Sequence, residues 1–351
     1  MSYTLETTMW RLGELTEALM GNTLILSQVD VHSLLTIEEC MTAVENAFRT
    51  LAEGKTQPPK VLGLHVQEGG LHIKAGVMQL NRYYIVAKLN SNFPANPARH
   101  HLPTIQGVVT VFDADNGELL ALMDSIAITI IRTGAATGVA AKHLARTNAE
   151  SITICGCGNQ GLISLQAILS VRKLIRVFLY DTNARQMQAL SDEVSSLYPQ
   201  LEIIQADTLR SAVKKSDIVV TCTPSTLPLI DLEDVSPGTF IAAVGADSEH
   251  KNEIHPRLVA ASKVVTDLTV QSAAIGDLHH AIKKGFVALS HVHAELGEVV
   301  AGKKPGRTND EEVIIFDSTG TALQDVAAAS IVYERALAKK FGTSFNLVSQ
   351  A

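Results

Sequence analysis

The chain has no excess of positive charge: its 351 residues carry 29 Lys and Arg against 36 Asp and Glu, a formal net charge of −7. A nucleic-acid surface needs clustered Lys and Arg to neutralise phosphates, so the charge argues against that class of partner and none is expected. Nowhere do about 18 apolar residues run together, so no membrane-spanning helix and no membrane partner are expected. The amino terminus, MSYTLETTMW, lacks the basic start and apolar stretch of a secretory signal. Cysteine is sparse: Cys40, Cys155, Cys157 and Cys222 are too few for a disulfide scaffold in a chain this long. Small, reduced packing residues in a cytoplasmic protein are the expectation. His279-His280 and His291-Val292-His293 have neither HExxH nor finger spacing, so no metal site is expected. No Ser or Cys sits in a nucleophile-elbow sequence, which leaves hydrolase chemistry without support. Internal repeats and low-complexity segments are absent too.

What is present is a long, apolar-rich chain, 46% hydrophobic, enough for two domains with buried cores. Residues 1–55 are expected to be mostly helical, with a short strand at Thr23–Ser27. Thr36 with Glu39 three residues later forms a capping box ahead of a segment with helical apolar spacing through Leu51. Between Lys60 and Met123 five short β-rich runs (Val61–Val66, Leu71–Val77, Tyr83–Leu89, Gly107–Phe112, Leu119–Met123) are separated by turn signals, which predicts an antiparallel sheet or an open barrel. An Ala-rich helix over 125–145 follows.

From Ser151 strands and helices alternate. Strands are expected at Ile152–Cys155, Arg176–Tyr180, Glu202–Gln205, Ile218–Thr221, Thr239–Val244 and Lys263–Thr266. Helices are expected at Gly161–Leu174, Ala184–Leu197 and Leu209–Lys215. This alternation predicts a doubly wound parallel sheet. It fades after about Phe316, where an Ala-rich helix, Ala322 to Lys340, is placed to pack back on the first domain and make it discontinuous.

The strand Ser151–Cys155 runs directly into Gly156-Cys157-Gly158-Asn159-Gln160-Gly161 and then an apolar helix. Gly156 permits the tight turn, Gly158 lets the backbone approach a pyrophosphate, and Gly161 allows close helix–strand contact. The helix amino terminus offers N–H groups to the phosphate charge. Asp181 ends the next strand, 20 residues after Gly161, where a carboxylate accepts hydrogen bonds from the adenine ribose; a turn aspartate capping the next helix is the alternative. A carboxylate there repels a 2′-phosphate, so NAD rather than NADP is expected.

Four further segments carry a resemblance. They are Asp124-Ser125-Ile126-Ala127-Ile128-Thr129-Ile130-Ile131-Arg132-Thr133-Gly134-Ala135-Ala136, Lys88-Leu89-Asn90-Ser91-Asn92-Phe93-Pro94, Val244-Gly245-Ala246-Asp247, and Phe316-Asp317-Ser318-Thr319-Gly320-Thr321-Ala322-Leu323-Gln324-Asp325. Together they resemble the ornithine cyclodeaminase/mu-crystallin family over most of residues 60 to 330. The resemblance implies an α/β fold, with a Rossmann doubly wound parallel sheet inserted in a discontinuous α+β substrate and dimerisation domain. The corresponding division is 1–146 plus 318–351 for substrate and dimerisation, and 147–317 for NAD, in a homodimer.

The resemblance also implies roles. Lys88 and Arg132 hold a substrate carboxylate, with Arg132 and Thr133 near the cofactor as well. Asp247 serves as the catalytic acid–base group, and Lys88 joins it in the catalytic set. Ser318 and Gly320 lie near the nicotinamide. Thr221, Thr223 and Ser225, at the end of another strand, line the cofactor. The bland alternatives are a solvated strand lysine at Lys88, a structural ion pair at Arg132 and a capping loop aspartate at Asp247.

The family's ornithine enzymes carry an acidic residue a dozen or so positions before the lysine matching Lys88. Here Leu71 to Leu80 contains no carboxylate and offers Lys74 instead, at a position resembling a second carboxylate-binding cation. A site with Lys74, Lys88 and Arg132 suits a free ammonium poorly. The expectation is therefore an NAD-dependent amino-acid dehydrogenase or imine reductase acting on a small amino, imino or keto acid. Redox-neutral ornithine cyclodeaminase is the alternative, and a non-catalytic binding protein stands behind both.

Overall fold

The structure, a computed structural model, describes residues 22–347; the helical expectation for the first 21 residues lies outside them. The chain enters through β1 (Asn22–Leu26), and the Thr36 capping box forms as expected, Glu39 N donating to Thr36 Oγ1 and Thr36 N to Glu39 Oε2, starting the helix Ile37–Ala52. The five β-rich runs become β2 (Lys60–Val66), β3 (Gly69–Gln79), β4 (Tyr83–Asn92), β5 (Ile105–Asp113) and β6 (Leu119–Asp124). Each pairs antiparallel with the next, through short turns except between β4 and β5, where residues 93–104 intervene. The sheet stays open and is mixed: β1 lies parallel to β6.

Alternation gives this sheet two different faces. One carries Val61, Lys74, Lys88 and Val109 in a row across β2 to β5, and the neighbouring row is Gly63, His72, Asn90 and Gly107. The other face carries Leu62, Ile73, Leu89 and Val108, of which Leu62 and Val108 are exposed.

Asp124 caps the helix Ser125–Leu144 by accepting from Ala127 N at 2.7 Å. The small residues after Arg132 have a packing reason. A Cβ on Gly134 would lie 2.7 Å from Ile163, and one on Gly138 2.7 Å from Met41. The helix is thus pressed between Ile37–Ala52 on one side and Asn159–Leu169 on the other.

The second sheet is wholly parallel: β7 (Ser151–Cys155), β8 (Arg176–Tyr180), β9 (Glu202–Gln205), β10 (Ile218–Thr221), β11 (Phe240–Ala243), β12 (Lys263–Thr266), β13 (Val292–Glu295) and β14 (Ile314–Asp317), in the order β13-β12-β14-β11-β10-β7-β8-β9. Strand order reverses between β7 and β10, the switch point where doubly wound sheets bind ligands. β13 and β14 extend the sheet beyond the expected strands. The helix after the glycine loop is Asn159–Leu169 rather than Gly161–Leu174, because it starts directly on Gly158 and stops at Ser170.

The closing helix Ala322–Lys339 returns to the first sheet and packs on β3, β4 and Ile37–Ala52. The chain then adds β15 (Thr343–Asn346) antiparallel to β1. Among the described residues no helix is long and apolar enough to cross a membrane, and the four cysteines are unpaired.

Candidate active site

The loop after β7 has the shape its glycines require. Gly156 takes φ +104°, and its N–H donates to Tyr180 O at 3.0 Å. A Cβ on Gly161 would sit 2.4 Å from Gly156 O and 2.9 Å from Ile154 Cγ2, so the helix can approach the strand only with glycine there. Gly158 is different, because a Cβ would meet nothing within 4 Å. The space above it is open, and the helix it caps has no side chain bonding its first N–H groups. Gln160 Oε1 is buried there without a partner.

Asp181 faces this loop from the end of β8. Its Oδ2 accepts from Cys157 N at 2.7 Å and its Oδ1 from Asn183 N at 2.8 Å, so it braces the loop and shapes the next turn, with lone pairs left on both oxygens. An open backbone cradle, an uncapped helix N-terminus and an acidic strand end fit a dinucleotide.

Thr221 and Thr223 do something unforeseen. Thr221 Oγ1 donates to Glu253 Oε2 at 2.8 Å, while Thr223 N and Oγ1 donate to Oε1 at 2.7 and 2.8 Å. Gly245 N adds a fourth donor at 2.8 Å. Fully buried Glu253 therefore ties the end of β10 to the loop leading to Asp247; burial and the Asp277 charge push its carboxyl up to about 7. Ser225 Oγ donates to Leu227 O within its own turn.

Lys88 and Arg132 come together on a residue to which sequence inspection gave no role. Asp325 Oδ1 accepts from Lys88 Nζ at 2.8 Å and from Arg132 Nε at 3.0 Å. Lys88 also reaches Thr129 Oγ1 at 3.3 Å, and Arg132 Nη1 donates to Gln324 Oε1 at 2.8 Å. The Lys88 and Arg132 side chains are 4% and 7% exposed and that of Asp325 is fully buried, so Lys88 is not a solvated strand lysine. Burial and the neighbouring guanidinium bring the Lys88 amine down to about 7. Burial opposes the charge on Asp325 as well, but Lys88 and Arg132 outweigh it and hold the carboxyl below its ordinary range.

Gly320 curls over the guanidinium at φ +75°, where a Cβ would be 2.5 Å from Nη1. Thr133, next on the helix, is buried. Lys74 sits directly opposite Lys88 in the β3–β4 ladder and donates to Thr319 O at 3.1 Å and Gly320 O at 2.7 Å. Burial, then the Arg132 charge, lowers its pKa.

The Ser318–Gly320 turn is itself held. Ser318 N donates to Ala243 O, while Asp267 accepts from Thr319 N, Thr319 Oγ1 and Gly320 N. Asp267 and Glu253 are buried acids outside the segments that carry the resemblance, whereas Asp325 closes one of those segments without having been given a role.

Asp247 lies across the cleft, its side chain half-exposed and its Oδ1 2.7 Å from Lys251 Nζ. Partial desolvation opposes its charge, but Lys251, Lys74 and Arg132 more than compensate and keep the carboxyl below its usual range. The histidine pairs are spent on backbone: His279 Nδ1 bonds to Ala273 O, His280 Nε2 to Lys251 O, His291 Nε2 to Val259 O and His293 Nε2 to Pro305 O.

A parallel sheet with a glycine loop at its switch point, joined to a second, mixed sheet that carries Lys74 and Lys88, defines a Rossmann-type protein. Comparison with known proteins narrows this. The chain belongs to the ornithine cyclodeaminase/mu-crystallin family, which matches residues 21–340. Alanine dehydrogenase of Archaeoglobus fulgidus is 39% identical over 321 residues, 92% of this chain and 97% of that protein. An archaeal alanine dehydrogenase dimer solved with bound NAD is similar at a TM-score of 0.88 and 38% identity, covering 93% of this chain and 100% of that one. The Delta(1)-pyrroline-2-carboxylate reductase of Thermococcus litoralis, solved with NADH and L-proline, has a TM-score of 0.86 at 33% identity over 92% of this chain and 99% of that one.

Proposed function

We infer that this chain is an NAD-dependent oxidoreductase, moving a hydride between the nicotinamide and the α-carbon of a small amino or imino acid. The observation that supports this is that Asp325 joins Lys88 to Arg132, while the Lys74 and Arg132 charges reach Asp247 from across the chain. Bound NAD supplies the hydride acceptor, or in reduced form the donor. Gly156, Gly158, Asn159, Gln160 and Gly161 hold its pyrophosphate and Asp181 its adenine ribose. Thr133, Ser318 and Gly320 border the nicotinamide end, together with Arg132. Thr221 and Thr223 contribute through backbone shape, since their hydroxyls are committed to Glu253, and Ser225 closes the same edge.

Lys88 and Arg132 hold the substrate carboxylate. Asp325 fixes them side by side yet uses one N–H of each, so donors remain on both for a planar anion. This removes freedom at the α-carbon before reaction. Lys74 supplies the further cation of the cleft. Asp247, ionised and open to the cleft, takes the proton released from the substrate nitrogen as C=N forms, and returns it in reduction.

The enzyme works as a homodimer in the cytoplasm. The exposed apolar face of β2 to β5, with Leu62 at 52%, Leu64 at 54% and Val108 at 43% exposure, is the surface a second copy would cover. Unpaired cysteines suit a reducing compartment. Among the described residues, 22–146 with 318–347 form the substrate and dimerisation half, and 147–317 the NAD half.

The test follows the nicotinamide absorbance with small amino acids plus NAD, and with keto acids, ammonia and NADH. Stoichiometric NADH change is expected, with NAD at least about tenfold more efficient than NADP, about 1.4 kcal/mol. Ornithine giving proline and ammonia with no net NADH change would overturn net redox chemistry in favour of cyclodeamination. No turnover on any substrate would leave a binding protein.

A further inference from the structure

We propose that Gln324 is a third donor to the substrate carboxylate, its side-chain Nε2 joining Lys88 and Arg132 on that anion. This rests on the oxidoreductase function inferred above and adds a residue to its substrate site.

The orientation of the Gln324 amide is fixed by chemistry. Arg132 Nη1 lies 2.8 Å from one end of it, and a guanidinium only donates, so that end is the carbonyl oxygen, Oε1. The other end is therefore Nε2, which only donates. Exchanging the two ends would set N–H against N–H. Gln324 is 1% exposed, and its Nε2 is buried without a hydrogen-bond partner among the described residues. A buried donor costs free energy until an acceptor meets it.

The backbone keeps that donor in place. Gln324 is the third residue of the closing helix Ala322–Lys339, and its N–H donates to Thr321 O at 3.2 Å. The carbonyls of the turn just before are taken by other donors. Lys74 donates to Thr319 O at 3.1 Å and to Gly320 O at 2.7 Å, and Gln271 Nε2 donates to Gly320 O at 3.1 Å. Asp325, the next residue, gives Oδ1 to Lys88 and Arg132, and its Oδ2 does not reach the amide beside it.

What answers Nε2 must accept, and the group assigned to this place does nothing else. Arg132 spends Nε on Asp325 and Nη1 on Gln324, so Gln324 stands directly against the guanidinium that receives the substrate carboxylate. Each carboxylate oxygen has more than one lone pair, so the anion can take Nε2 as well as the guanidinium and the amine. A third donor leaves the carboxylate less freedom to rotate, which holds the α-carbon in place for hydride transfer. The amide is neutral, so its hold persists as the Lys88 amine loses charge through about pH 7.

Two measurements test this. In proton–nitrogen correlation spectra of the NADH-loaded protein, the Gln324 side-chain amide is the signal missing from Gln324→Met or, where that variant folds poorly, from Gln324→Glu. Titration with propionate, a carboxylate that cannot react, should move one Nε2 proton downfield in step with binding followed by calorimetry. A signal that stays still while propionate binds would mean that water satisfies Nε2, and would overturn the proposal; so would a failure of propionate to bind. This needs no turnover, so it decides the role of Gln324 even where the redox function fails. With an amino acid that reduces NAD, Gln324→Met should raise KM about tenfold while kcat and NAD affinity stay close to the parent. An unchanged KM would refute the third donor and leave the oxidoreductase standing.

Discussion

The glycine loop and the proposed substrate cleft are built in opposite ways. The loop is one stretch, Gly156 to Gly161, whose tight turn, open cradle and helix start follow each other in sequence. The cleft draws Lys74 and Lys88 from neighbouring strands, Arg132 from a helix, Asp247 from a loop of the other sheet and Asp325 from the closing helix. Asp325 is 237 residues from Lys88 and 193 from Arg132. A contiguous site tolerates change elsewhere in the fold, whereas a cleft joined by one buried anion depends on all its parts.

The largest effect should come from removing that anion. Asp325→Ala leaves two buried cations facing each other, and denaturant melts should show a loss of about 3–5 kcal/mol together with the collapse of substrate binding. A variant as stable as the parent would mean that the cleft is not held by this carboxylate. Asp247→Asn probes chemistry without touching the scaffold. It keeps the fold and NAD binding while turnover falls by about 100-fold or more, because an amide does not exchange the proton. Unchanged kcat would remove Asp247 from the reaction.

The loop offers a sharper pair. Gly161→Ala forces a Cβ to within 2.4 Å of Gly156 O and should cost about 1–3 kcal/mol by thermal or denaturant melting. Gly158→Ala meets no atom within 4 Å, so its melting should match the parent while NAD affinity, measured by fluorescence or calorimetry, drops about tenfold. Reversed results would mean that the cradle lies elsewhere.

The smallest expected effect concerns pH. The Lys88 amine titrates near 7 in the folded protein, below its ordinary value. It is charged below that pH and loses charge as pH rises through it, so carboxylate affinity weakens on the alkaline side, with KM rising roughly tenfold between pH 7 and 9. Lys88→Met should show a higher KM without that alkaline limb; a limb that persists would assign it to another group.

Much of this was legible in the sequence because the signals are local. Helix Ala184–Leu197 and strands Arg176–Tyr180, Glu202–Gln205, Ile218–Thr221 and Lys263–Thr266 fall where periodicity put them, since apolar spacing along a few turns or a few pleats is all that decides them. β13, β14 and β15 went unread. Like the other four-residue strands they form where a neighbouring strand supplies their hydrogen bonds, but Val292–Glu295 and Thr343–Asn346 lack the apolar run that marks Ile218–Thr221.

By itself the sequence determined the glycine cradle with Asp181 behind it, the alternation that makes the parallel sheet, and the identity of the cations at 74, 88 and 132. Tertiary structure alone decided which carboxylates hold them. Asp267 under the Thr319–Gly320 turn and Glu253 across Thr221, Thr223 and Gly245 are ordinary acids in a linear reading, and Asp325, though it ends the closing motif, shows its place between Lys88 and Arg132 only in the fold. Their importance comes from burial. Once solvent is excluded, each charge must find its partner in the protein, and which partner is near depends on how distant segments pack.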